Sequence, residues 1–288
     1  MNADVPASRE LAAIAELAAR TTGDRLRTAF RSRPEVDLKV DFHDPVTEHD
    51  RAAEETIREV LGEQTPGSVV VGEEGGVQGG SPNGGSGVRW YVDPIDGTAN
   101  FAVGLPFFCT SIAAVADGEL VAGVVYDPVR DDMFTASLEG ATCNGEPIRS
   151  TGATTDQGAV IATSYPSPHD LAEGDRTETL RRYGDLIGAF ATVRRPGSAA
   201  LTLAHVAAGW TDVAYDSSIN AYDIAAGLLL VRQAGGTYLP LGGKPGGDDW
   251  DAPGYLACVG GFDLAGSVVA GVADLAAQEC PGGFPPVR

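Results

Sequence analysis

Asp93 and Asp96 stand three residues apart in the run Tyr91-Val92-Asp93-Pro94-Ile95-Asp96-Gly97-Thr98-Ala99-Asn100, which Phe101 continues. Trp90, Tyr91 and Val92 read as the apolar end of a strand. Pro94 stops that strand by fixing its own φ, and Gly97-Thr98 opens a helix. Two carboxylates held about 4 Å apart at such a turn repel by on the order of 4 kcal/mol at an effective dielectric near ~20. Either one keeps its proton or a metal neutralises both. Oxygen donors alone select a hard ion such as Mg²⁺, which keeps several waters and shares its shell with a substrate phosphate. For an isolated Asp-Pro-x-Asp-Gly, a turn followed by an N-cap is the ordinary alternative. The rest of the chain decides between the two.

The elements that position this turn follow from hydrophobic periodicity. Leu11, Ile14, Ala15, Leu17, Ala18, Leu26 and Phe30 recur at helical spacing and predict a long amphipathic helix over residues 8–33, with Gly23 as a weak point. A second helix is expected over 47–61, with Thr47 as N-cap and Asp50 three residues on. Val69-Val70-Val71 predicts a short buried strand ending at Gly72-Glu73-Glu74. The Gly- and Ser-rich residues 75–87 predict a mobile loop that orders partly with metal. Strands are expected at 89–92, 108–115, 120–126 and 133–137, with Asp117-Gly118 in a hairpin. Beyond about residue 150 strand and helix alternate: strands at 159–163, 191–194, 211–215, 237–240 and 256–259, and helices at 171–187, 199–208, 222–233 and 262–278. The first half, 1–150, thus reads as α+β and the second, 151–288, as α/β, two halves packing into one layered unit.

Composition narrows the function classes. A chain of 288 residues with 43% hydrophobic content can bury a large core. Residues 1–9 lack the apolar segment of a signal peptide, and no run approaches membrane-spanning length, so a cytoplasmic location is expected. Cys109, Cys143, Cys258 and Cys280 lack metal-type spacing and read as reduced thiols. A formal charge of −20 with two lysines, Lys39 and Lys244, repels nucleic acid and anionic membranes. It also repels phosphate at long range, so a phosphate-handling site here needs bound cations.

Glu73, the run Asp93 to Thr98, and Tyr222-Asp223-Ile224-Ala225-Ala226-Gly227 followed by Gln233-Ala234-Gly235-Gly236 resemble the inositol monophosphatase family of Mg²⁺-dependent, lithium-sensitive phosphatases. Asp44-Pro45-Val46-Thr47-Glu48-His49-Asp50 and Gly197-Ser198-Ala199-Ala200 extend the resemblance over about residues 8–278. It implies a layered αβαβα sandwich of the inositol monophosphatase and fructose-1,6-bisphosphatase type, two to three Mg²⁺ ions, and a homodimer. Glu73, Asp93 and the Ile95 carbonyl would hold the first ion; Asp93, Asp96 and Asp223 the second. Thr98 and Glu73 would orient the attacking water, with Asp50 holding the Thr98 hydroxyl. The amides of Gly97 and Thr98, at a helix start, suit phosphate oxygens. Gly197, Ser198 and Ala199 would meet the cyclitol or sugar. Asp216 falls where many members place a hydroxyl-binding glutamate, and Tyr222 replaces a tryptophan. Lys39 matches a basic residue near the metals.

Plainer roles exist for several of these residues. Asp50 completes a cap with Thr47, Asp223 suits a helix start, and Glu74 reads as solvated or supporting. Asp248, Asp249 and Asp251 form a solvent-facing acidic run. His43, His49, His169 and His205 show no paired spacing, and a two-metal hydrolase needs no histidine base. The expected substrate is a small phosphorylated metabolite, inositol 1-phosphate first. Histidinol phosphate, fructose 1,6-bisphosphate, a nucleotide phosphate or a specialised-pathway sugar phosphate are alternatives. A non-catalytic regulator with the same fold is the reading from another class.

Overall fold

The computed structural model describes residues 5–38, 45–80 and 87–274. In chain order the first half contains α1 (Val5–Ala29), β1 (Val36–Leu38), β2 (Pro45–Thr47), α2 (Glu48–Gln64), β3 (Val69–Gly72), β4 (Gly76–Gly79), β5 (Val88–Asp96) and α3 (Thr98–Val103). An antiparallel run follows: β6 (Cys109–Ala116), β7 (Glu119–Asp127), β8 (Asp132–Ser137), β9 (Gly140–Cys143) and β10 (Glu146–Pro147). The second half contains β11 (Val160–Thr163), α4 (Pro168–Glu173), α5 (Arg176–Ala189), β12 (Thr192–Arg194), α6 (Ala199–Ala207) and β13 (Val213–Asp216). It ends with α7 (Ala221–Gln233), β14 (Thr237–Leu241), β15 (Gly254–Cys258) and α8 (Val268–Val272).

Eight strands form one sheet in the order β10-β9-β8-β7-β6-β5-β3-β4, and five form another in the order β12-β11-β13-β15-β14. Strand alternation sends Trp90, Val92, Ile112, Ala114 and Val124 to one face of the larger sheet, where Leu11, Ala15 and Ala18 of α1 and Ile57 and Leu61 of α2 cover them. Tyr91, Ala113, Val125 and Phe134 point the other way, into a core shared with α6, α7 and the smaller sheet. Helices α6 and α7 therefore lie between the sheets, and α5 and α8 pack together beyond the smaller one. The result is the expected αβαβα sandwich. Its largest apolar cluster is continuous from Tyr91 to Ala273 and joins both halves.

Several boundaries differ from the sequence expectation. Helix α1 stops at Ala29, and Arg31 and Arg33 take left-handed φ of 69° and 55°. Gly23 is no weak point, since a Cβ there would lie 2.6 Å from the Tyr126 ring that packs on it. The single helix expected over 171–187 is two, because Gly174 ends α4 and the Asp175 side chain caps α5 through the amides of Thr177 and Glu178. Residues 76–79, expected as loop, pair antiparallel with β3, while 81–86 lie outside the described residues. The same holds for Lys39, His43, Asp44 and Cys280, and for the end of the helix expected over 262–278, of which Val268–Val272 is observed. Strand β5 continues through Pro94, and its register against β6 shifts between Asp93 and Asp96. The short strands β1, β2, β9 and β10 have too few residues to show a period. Among the described residues no helix is long and apolar enough to cross a membrane.

Helix α7 lies unusually close to β7 at Gly123. A Cβ there would come within 2.9 Å of the Ala226 main chain, which cannot move aside as a side chain could. Gly123→Ala is therefore expected to cost about 1–3 kcal/mol through overpacking, read as a lower urea midpoint with unchanged m-value.

Candidate metal centre and active site

The register shift in β5 creates the turn on which the site is built. Pro94 leaves the ladder, and its carbonyl is taken by Thr110 Oγ1 at 2.9 Å. Asp93 Oδ1 accepts the Ile95 amide at 2.9 Å. Asp93 and Asp96 are thereby brought to the same side of the sheet end. Asp223, in the first turn of α7, completes a group of three buried carboxylates whose ligand oxygens lie within 4.8 Å of one another. Glu73 follows β3 directly and its amide donates to Val92 O at 3.1 Å, which fixes its backbone beside Asp93. The carboxylate of Glu73 adds to the repulsion felt by all three aspartates.

Among the described residues, no lysine or arginine forms an ion pair with Asp93, Asp96 or Asp223. Burial and mutual repulsion push their carboxyls up: Asp93 well above the usual range, Asp96 to about 6 and Asp223 to about 8. Without a cation, burial and the neighbouring carboxylates favour the neutral forms of both Asp93 and Asp223. The Cys109 thiol, 3.7 Å from Asp96 Oδ2, is pushed up by burial and stays neutral, so the donor set is hard oxygen. Such a set fits Mg²⁺.

Asp50 serves in both roles expected of it. Its Oδ2 accepts the Thr47 amide at 2.8 Å and the Thr47 hydroxyl at 2.6 Å, capping α2. Its Oδ1 lies 2.8 Å from Thr98 Oγ1. The same hydroxyl is 2.9 Å from Ile95 O, and its one proton can serve a single acceptor. The charged oxygen of Asp50 is the stronger partner, which leaves Ile95 O available to a cation. Asp223 is likewise both cap and cluster member, since its Oδ2 accepts the Asn220 amide at 3.0 Å.

The residues expected to meet substrate are placed less simply. Gly97, at φ 96°, opens α3 with no side chain capping the helix. A Cβ there would lie 3.1 Å from the carbonyl oxygens of both Gly197 and Phe107, so glycine is required by conformation and by space. Ser198 and Ala199 turn toward Asp96: Ser198 Oγ donates to Oδ2 at 2.5 Å and the Ala200 amide at 2.7 Å, while the Ala199 amide reaches Oδ1 at 3.3 Å. Asp216 is buried, with its oxygens accepting from the Ser164 amide and, at 2.9 Å, from the Tyr255 hydroxyl. Burial holds its carboxyl up at about 6.

Two contributors escaped sequence reasoning. Ala200 binds Asp96 through its backbone amide, which no side-chain type can signal. Asn100 donates to Phe107 O and Pro196 O, both at 2.7 Å, and so ties α3 to the turn before α6. Its position at the end of the Asp93 run was the available signal.

The raised carboxyls set a pH dependence. The folded state holds protons that the unfolded chain releases above its ordinary carboxylate pKa of 3.8. The resulting penalty is absent below that value and grows as pH rises through about 6 for Asp96 and about 8 for Asp223. Metal-free protein should therefore lose thermal stability between pH 5 and pH 8 on account of these groups. Mg²⁺ displaces the protons, so the rise in Tm it produces should be larger at pH 8 than at pH 5. Scanning calorimetry at both pH values checks this; a gain that does not grow with pH would count against these carboxylates as the ligands.

Residues 7–274 match the model of the inositol monophosphatase family. The chain is 42% identical over 228 residues to a Nus factor SuhB of Pseudomonas aeruginosa, covering 77% of this chain and 82% of that one. It is also 42% identical over 209 residues to an inositol-1-monophosphatase of Rhizobium meliloti, covering 70% and 75%. Among solved structures, an IMPase of Thermotoga maritima superposes with a TM-score of 0.76 at 32% identity, over 90% of this chain and 95% of that one. Fold, matched length and identity agree, and the chain belongs to the inositol monophosphatase family.

Proposed function

We propose that this protein hydrolyses a small polyol or sugar phosphate monoester with Mg²⁺, inositol 1-phosphate being the first substrate to test. The observation that carries this reading is the convergence of Asp93, Asp96 and Asp223 within 4.8 Å beside the Asp50–Thr98 pair. Glu73, Asp93 and the Ile95 carbonyl would hold one ion, and Asp93, Asp96 and Asp223 another; a third, weaker ion would rest on Glu73. Ions held there supply charge neutralisation at phosphate and activate water near neutral pH.

The chain's own residues do the positioning. Asp50 accepts the hydrogen bond donated by the Thr98 hydroxyl, so the Thr98 oxygen is left to accept a hydrogen bond from the attacking water. Glu73 orients the same water from the other side. The amides of Gly97 and Thr98 face a phosphate oxygen, and Gly97 lets the anion approach the backbone. Gly197, Ser198, Ala199 and Asp216 border the end where the alcohol part of the substrate lies. By the same family likeness, we assign lithium inhibition, a homodimer and a cytoplasmic location.

A second reading is supported by the relatives named Nus factors: the fold as a regulatory protein that engages a macromolecular partner. The retained set of Glu73, Asp93, Asp96, Asp223 and Thr98 favours the enzyme. The net charge of −20 disfavours direct contact with a nucleic-acid backbone.

Asp96→Asn separates these readings. It keeps an acceptor oxygen for Ser198 and the Ala200 amide while giving up the longer bond from the Ala199 amide and removing a metal-ligand charge, and a neutral amide is cheaper to bury than a carboxylate. Phosphatase activity should fall by at least about a hundredfold, while metal-free Tm is unchanged or raised. A variant that turns over like the wild type would refute the assignment. A panel of phosphate esters then fixes the substrate: inositol phosphate ranking far below another ester would displace it.

A further inference from the structure

We infer that the Glu54–Arg58 ion pair on α2 is a positioning device that holds the Glu73 turn in place for the cation, an inference that rests on the Mg²⁺-dependent reading above. Glu54 is 2% exposed. Its Oε2 accepts the Glu74 amide at 2.8 Å and its Oε1 accepts the Gly75 amide at 2.8 Å. Arg58 grips the same Oε1 through Nε at 2.9 Å and Nη2 at 2.7 Å, and Nη2 also donates to Gly76 O at 2.8 Å. One carboxylate and one guanidinium thus bind two amides and a carbonyl in three successive residues of the β3–β4 turn. Glu73 is caught between two anchors: its own amide on Val92 O, and the next two amides on Glu54.

A purely packing role does not account for this pair. The neighbouring inward residues of α2, Ala53, Ile57 and Leu61, are apolar and fully buried. Replacing a buried ion pair by apolar side chains of similar volume is often neutral or stabilising. What leucine could not supply is the bond to the turn amides. The geometry has also been given room, since a Cβ on Gly72 would lie 2.5 Å from both Arg58 Nη2 and Glu54 Cδ, and one on Gly75 would lie 2.9 Å from Glu54 Oε1.

The turn needs such a restraint. Strand β4 is an exposed edge strand on all four residues, so the hairpin has little apolar anchorage of its own. The Glu73 charge lies close enough to Asp93, Asp96 and Asp223 to raise their carboxyls, so this turn carries an acidic side chain into an acidic cluster. Among the described residues β4 buries no side chain that could hold the hairpin from outside; the Glu54–Arg58 pair holds it from within. Spaced four residues apart on a helix, Glu54 and Arg58 read from sequence as an ordinary solvated pair. Their burial, with side chains 3% and 13% exposed, is what distinguishes them.

The test uses the full-length protein with Mg²⁺ and the ester it hydrolyses fastest. The double variant Glu54→Leu/Arg58→Met removes the clamp and leaves no unpaired charge. The half-saturating Mg²⁺ concentration should rise by about tenfold or more, while kcat at saturating Mg²⁺ and KM for the ester stay within about threefold. Amide exchange at residues 74–76 should quicken in metal-free protein, and Tm with Mg²⁺ should hold. Gly75→Ala crowds Glu54 from the solvent side without touching the α2 core. It should give the same Mg²⁺ shift and keeps the inference testable if the double variant fails to fold. Mg²⁺ half-saturation within about twofold of wild type in a folded variant would overturn the positioning role. A wild-type protein that neither binds Mg²⁺ by calorimetry nor releases phosphate would instead overturn the metal-phosphatase reading on which it rests.

Discussion

Mutual repulsion among buried carboxylates is the constraint around which this molecule is organised. Three aspartates share a space under 4.8 Å wide, and no described cationic side chain pairs with them. In a folded protein such an arrangement is stable only with protons or a divalent ion between the oxygens. The apolar layers on either side matter because they hold β5, α6 and α7 together against that force. The close backbone approach of β7 and α7 at Gly123, two strands from the site, belongs to the same structural requirement.

The chain offsets part of the repulsion with helix ends. Four helices begin at the site. Asp50 occupies the first turn of α2, Thr98 starts α3, the first amides of α6 bind Asp96, and Asp223 lies in the first turn of α7. Each start presents unpaired amides and a partial positive charge. A protein with a net charge of −20 thereby sets backbone partial charges beside the cluster, where no lysine or arginine among the described residues pairs with the three aspartates. Capping does not exhaust Asp50 or Asp223, because each carboxylate has two oxygens and uses one for its helix: the other meets the Thr98 hydroxyl at Asp50, and Asp223 joins the aspartate cluster.

How much of this was legible in the sequence depends on what each feature is made of. Asp93, Asp96 and Thr98 share one short run whose type and spacing suggest a cation, while Glu73 and Asp223 were singled out by the resemblance to the family, since residue type alone also allows a turn or a helix start. Asp50 was legible in two roles, and both are used. What period could not convey was how β5 passes Pro94, since a strand that continues through a register shift looks the same as one that ends. The break between α4 and α5 was hidden because helical periodicity does not separate two helices joined end to end, and here the Asp175 side chain caps the second. Backbone donors such as the Ala200 amide carry no residue signature at all. Glu54 and Arg58 were hidden by the opposite problem: their types suggest solvent, and only the turn folded over them makes them buried.

The aspartate cluster and the residues expected beside a substrate's alcohol part belong to different parts of the fold. The clustered aspartates lie on regular elements, Asp93 and Asp96 on β5 and Asp223 on α7. The residues on the alcohol side do their work through position. Asp216 has both oxygens engaged by Ser164 and Tyr255, which braces β11 and β15 against β13. Ser198 gives its hydroxyl to Asp96. With their polar atoms committed to neighbours, these side chains shape the wall of the site more than they display hydrogen bonds to it. These contacts tie Ser164, which follows β11, to the end of β13, and Ser198, at the start of α6, to the end of β5, so a longer side chain at position 216 would first disturb the protein's own hydrogen bonds.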